Sequence, residues 1–346
     1  YKTNHVVRAD KWKEILSTAY VWIDWASMPQ PSACPASIPR EKKQNMGTDL
    51  GKAVKSIPAC VIISRFTSST LTYTLQYHSN RYIEKADFVA IVAPGCLHTD
   101  RRDPVTKLRT KTCYRTYRKR GWCVLEMVCS MLSREKVQPA LLITSAGGTP
   151  EFVSPMNAQN LAVGMCDFTC CQRNHIFPGI GVVPCDRVIT RKILERMVRA
   201  KTKHLFDLKH NTLARLCSCL ESWWLRRSGD SMDQKVSKNI SSLKRELRWN
   251  DEENEWLDGD GISILFYAVL RNDNKAVRLL LLPTNHVGKD WINEYVANEG
   301  YVQFGIPGRF STLTCAMCFA DVSIVSMLLE SGANPKVTDI NGADSL

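Results

Sequence analysis

The sequence predicts an α/β domain built on a parallel sheet, then a helical connector, then an all-α solenoid of repeated helix pairs. Three observations lead there. Short apolar runs alternate with amphipathic stretches before residue 150, the pattern of strands sandwiched between helices. Segments with an apolar stripe and basic flanks follow from Ile189 to Leu225. After residue 250 the chain resembles itself at a fixed interval. A chain of 346 residues has room for more than one core, and the division drawn is 1–150, 151–250 and 251–346.

Within the first region, Asp10 is placed to cap a helix over 11–17, and 20–24 reads as a short buried strand ending in Asp24. Thr48 or Asp49 opens an amphipathic helix that Pro58 stops. Residues 88–93 form a second apolar strand, 122–132 a helix and 140–144 a third strand. Residues 60–81 break this order. They hold no Asp, Glu, Gly or Pro and are rich in Ser, Thr and Tyr, so they read as an inserted or mis-spliced segment, with a β-hairpin excursion as the alternative.

In the last region, Gly261 precedes a helix start at Leu265 and Ala268, and a second helix closes on Leu279, Leu280 and Leu281. The pattern returns at Leu313 and Ala316, with Leu328 and Leu329 closing the second helix and Gly332 leaving it. A third copy begins at Asp339 and Gly342. Leu346 lies 33 residues after Leu313, while Leu313 lies 48 after Leu265, an excess of 15 that falls between Leu282 and Phe310. Period and punctuation together resemble the ankyrin repeat, whose stacked helix pairs hold protein partners. Phe266 and Thr314 stand where that family usually has His, which puts its inter-repeat hydrogen bonds in doubt.

Asp24 at a strand end, the following helix and strand, and then Gly121, Trp122, Cys123 and Glu126 resemble the TIR (Toll/interleukin-receptor) family with its flavodoxin-like fold. Trp22, Asp24 and Gln30 are also similar to the signature of fungal heterokaryon-incompatibility domains. The whole arrangement is similar to a set of ankyrin-repeat proteins from dinoflagellates. The TIR resemblance implies Glu126 as a carboxylate that cleaves NAD, with Asp24 and Trp122 at the nucleotide pocket. Such a carboxylate would stabilise oxocarbenium character at the ribose. The plainer reading is a first-turn Glu favoured by the helix dipole, and Trp122 as a core anchor.

Cys166, Cys170, Cys171, His175 and Cys185 place four thiols and an imidazole within 20 residues. Zinc takes four such ligands in a tetrahedron, and reduced structural cysteines are the alternative. The 14 cysteines lack the regular spacing of a disulfide scaffold, so they read as cytoplasmic thiols. No apolar run approaches the roughly 18 residues of a membrane span. The charge of +12 is concentrated in part at 101–120; without a nucleic-acid-binding fold that run reads as a solvated loop. Residues 228–242 read as a linker. Tyr1 in place of Met, and a repeat that stops within its motif at Leu346, read as ends cut from a longer protein.

The sequence-level function is thus a protein-binding signalling adaptor, with NAD hydrolysis through Glu126 as the rival.

Overall fold

The computed structural model describes residues 20–21, 63–64, 89–93, 96–102, 108–133, 140–145, 148–153, 162–172, 174–177, 181–182, 184–226, 237–249, 255–282, 291–293, 300–342 and 344. They fall into two units: Tyr1–Tyr114 with Glu135–Val153 and Cys170–Pro184, and Arg115–Arg134 with Ser154–Thr169 and Cys185–Leu346. The helices expected at 11–17 and 48–57, and Asp24, lie outside the described residues.

In the first unit, β1 (Tyr20–Val21) pairs antiparallel with β2 (Ile63–Ser64). The first expected strand therefore pairs with part of the suspected insertion, in a sheet of its own. The apolar runs β3 (Val89–Val92) and β6 (Ala140–Ile143) do pair in parallel. The expectation of a wholly parallel sheet needs correction, because β7 (Glu151–Val153) adds to the other edge of β6 antiparallel, giving the order β3-β6-β7. Cover on both faces also fails at β3: Ile91 is buried, while Val92 is 66% exposed. Central β6 has hydrogen-bonded neighbours on both sides and is buried from Ala140 to Leu142. Part of the basic run read as a loop is a hairpin instead, β4 (Cys96–Arg102) against β5 (Arg109–Thr112). A further small hairpin joins β8 (Ile176–Phe177) to β9 (Gly181–Val182).

The second unit is helical. Its helices are α1 (Gly121–Met131), α2 (Asp186–Asp207), α3 (Asn211–Trp224), α4 (Ile240–Glu246), α5 (Ile264–Leu270), α6 (Asn274–Leu280), α7 (Thr312–Phe319) and α8 (Val322–Glu330). The expected apolar stripe of α2 buries Ile193, Leu194, Val198 and Leu205, and its Lys201 reaches back to donate to the Ser133 carbonyl beyond α1. Helix α5 packs on α7 and α6 on α8, so like helices of successive pairs lie side by side. The same relationship extends one step earlier, where α3 packs on α5 and α4 on α6. The expected linker thus ends early: the backbone N–H of buried Ser237 donates to Asp273, and Asn239 with Ser242 forms a reciprocal cap on α4.

Polar side chains fix these pairings. Ser263 and Ser311, at matching positions, accept from the backbone N–H of Phe266 and Thr314 and start α5 and α7. Asn272 donates to the Asp321 carboxylate and accepts from the Asp321 backbone N–H, both at 2.8 Å, joining one helix pair to the next. Asp258 closes its own turn onto the N–H groups of Asp260 and Ile262, and accepts from Thr212 at 3.0 Å and Tyr267 at 2.5 Å. Arg215 lies against it, donates to the carbonyls of Leu247 and Arg248, and stacks 4.8 Å over Trp249. One charged residue of α3 thereby ties the end of α4 to the turn before α5.

Five of the described helix ends share one device. After Gln172, α2, α4, α5 and α8, the residues Asn174, Lys209, Arg248, Asn272 and Gly332 take a positive φ, and paired bonds from that residue and the next return to the last turn. Gly332, at φ +95°, is the exit expected from the sequence.

Candidate functional site

Glu126 is the sixth residue of α1, so it lies beyond the first turn, where the dipole explanation for an acid would apply. Its carboxylate accepts from the Tyr117 hydroxyl at 3.0 Å. The surrounding positions Val124, Leu125, Met127, Val128 and Cys129 are buried, whereas Trp122 and Glu126 are half-buried. These two are four residues apart and share one helix face. The Glu126 charge adds to burial in pushing the Cys129 thiol far above its ordinary range, and that thiol stays protonated.

Gly121, which heads the Gly-Trp-Cys segment, has a packing role. Its backbone N–H donates to the Asp167 carbonyl at 3.0 Å, and the Phe168 ring lies where a side chain would start, 2.1 Å from an ideal Cβ. The guanidinium of Arg187 covers the same ring at 5.5 Å. This part of the motif is therefore accounted for by close approach of an aromatic ring.

The Cys-rich segment gathers most of its expected ligands. Donor atoms of Cys170, Cys171, His175 and Cys185 all lie within 4.8 Å of one another, so the group can hold a metal ion. Cys170 and Cys171 come from the helical turn Thr169–Gln172, and their sulfurs are 3.9 Å apart. His175 follows the cap at Asn174, with its own N–H donating to the Cys170 carbonyl at 2.7 Å. Cys185 stands at the N-cap position of α2 and makes no capping bond with its side chain. All four lie in one stretch of chain, 170–185, whose middle is the β8–β9 hairpin.

Cys166 is not brought into that group. It follows the short 3-10 turn Val163–Met165, and its thiol donates to the Ala162 carbonyl at 3.5 Å. Burial, with the Asp167 charge adding, pushes that thiol up to about 11. Sequence spacing alone put Cys166 on an equal footing with the rest, because a donor count says nothing about which way a turn faces.

Sequence reasoning missed the role of Arg215, which reads as one more basic residue of a striped helix. The nearest signal was its place between Ala214 and Leu216 on the apolar side. No helix among the described residues is long and apolar enough to cross a membrane. Compared with known proteins, the chain finds no matching family model, curated protein or solved structure.

Proposed function

We propose that this chain is a protein-binding scaffold whose ankyrin-like row of helix pairs presents a surface to a partner protein. The carrying observation is the side-by-side packing of α5 with α7 and α6 with α8, locked by Asn272 and Asp321. Repeated helix pairs of this kind present extended surfaces suited to other proteins. Val302 and Met317, 41% and 54% exposed, are apolar side chains of this region that the chain leaves to solvent. In this reading the Cys/His group has a structural part, and zinc is its ion. The α/β region is TIR-like, and the sharing of one helix face by Trp122 and Glu126 favours NAD cleavage as a second reading.

One experiment separates the readings. The purified chain is incubated with NAD, and nicotinamide is measured for the natural protein and for Glu126→Ala. The scaffold reading expects no release above the variant. Release that falls at least about 100-fold on substitution, the scale of an essential acid–base group, would replace it with the enzymatic one. Cross-linking with identified partners then maps the surface; the scaffold reading expects cross-links on 300–330 that Val302→Asp with Met317→Asp abolishes.

A further inference from the structure

We propose that zinc closes the Cys/His group as a four-ligand site made of Cys170, Cys171, His175 and Cys185, to the exclusion of Cys166. The bound ion holds His175 in its left-handed backbone. The inference rests on the zinc reading of that group and adds its ligand set, its coordination and its effect on the chain.

A tetrahedron with Zn–S bonds of roughly 2.3 Å has edges of about 3.8 Å. The Cys170 and Cys171 sulfurs, 3.9 Å apart, already span such an edge. The widest donor separation is at most 4.8 Å, so closure asks for movement of about 1 Å. Three soft thiolates and one imidazole are a ligand set that favours zinc over magnesium or calcium, which take oxygen donors.

A second observation concerns His175 alone. Its Nε2 is buried and has no hydrogen-bond partner among the described residues. A buried nitrogen in that condition costs free energy unless something binds it, and a cation among three sulfurs would supply that partner. The backbone agrees. Positive φ at Asn174, Lys209, Arg248 and Asn272 is explained by helix capping, but His175, at φ +60°, is a second left-handed residue in succession, which the caps at Lys209, Arg248 and Asn272 do not have. A left-handed residue of this type is costly and persists where its surroundings enforce it. Coordination through Nε2 would provide that enforcement.

On binding, three S–H bonds break and their protons pass to solvent. Three Zn–S bonds and one Zn–N bond form, no electrons are transferred, and the neutral imidazole keeps its remaining proton on Nδ1. Four protein ligands leave no position for water, so the site is structural. Cys166 stays outside as a neutral thiol bonded to Ala162.

The test uses the whole reduced chain, stripped of metal by a chelator and titrated with zinc against a chromogenic competitor. The expected result is one zinc per chain, with Cys185→Ser and His175→Ala each weakening binding by at least about 100-fold, a loss greater than that of outer-shell changes. Cys166→Ser should bind as the natural chain does. Loss of binding in Cys166→Ser with retention in His175→Ala would overturn the ligand set while leaving zinc in place. Failure of the natural chain to take up zinc would overturn the zinc reading itself. Should a variant not fold, X-ray absorption at the zinc edge of the natural chain counts ligands directly: three sulfurs and one nitrogen support the assignment, and any other set defeats it.

Discussion

The guanidinium of Arg215 and the carboxylate of Asp258 stand 3.7 Å apart with both side chains sealed from solvent. Each charge also serves neutral partners, two carbonyls on one side and two hydroxyls on the other. Removing one member leaves the other buried with its charge uncompensated, the costly case for such pairs. Arg215→Met should therefore destabilise the chain by about 3–5 kcal/mol in urea unfolding. Adding Asp258→Asn should recover part of that loss, because the stranded charge goes with it. A double variant that loses the full sum would show that the two groups act independently.

Alkaline pH should weaken the helical unit before it disturbs isolated surface groups. Burial pushes the Cys217 thiol up from 9.0 to about 12, and burial followed by the Asp258 charge lifts the Tyr267 hydroxyl well above its usual range. Both groups have raised values in the folded chain, so their contribution is complete below the unfolded values and is lost as pH climbs toward the folded ones. At about pH 10.5 the Cys217 share is on the order of 2 kcal/mol. Unfolding midpoints at about pH 8 and pH 10.5 should differ more for the natural chain than for Cys217→Ala. Equal pH slopes would remove the thiol as the source.

Lys209 ends α2 in a left-handed conformation at φ +62° and is exposed. Its side chain has no partner among the described residues that offsets the steric cost of that backbone, whereas glycine carries no such cost. Lys209→Gly should raise stability by about 0.5–1 kcal/mol, after the greater freedom of glycine in the unfolded chain is counted. Asn272→Gly should do the reverse despite its similar φ, since it severs the two bonds to Asp321.

Elements whose pattern depends on local periodicity were legible in the sequence. The stripe of α2, the helix near Trp122, the apolar runs of β3 and β6 and the exit at Gly332 fall close to where spacing and turn chemistry put them. What escaped depends on distant partners. The hairpin of β4 and β5 carries a basic run whose charge says loop while its cross-strand pairing says sheet. Strand β7 has Glu151 and Phe152 exposed at a sheet edge, so no apolar run announced it. Four of the five proposed metal ligands converge, but the sequence could not single out Cys166, whose thiol turns to the Ala162 carbonyl. Gly121 drew attention through a motif, and its packing reason became visible only with Phe168 beside it.

Asn272 stops one helix with its backbone and grips the next helix pair with its side chain. Two events that could have been independent are thereby made one. If α7 and α8 come loose, the asparagine loses both bonds to Asp321 and its left-handed turn has less to hold it. Fraying that starts at the far pair is therefore passed inward one turn at a time, and hydrogen exchange along this row should fall in steps set by such shared residues rather than decline smoothly.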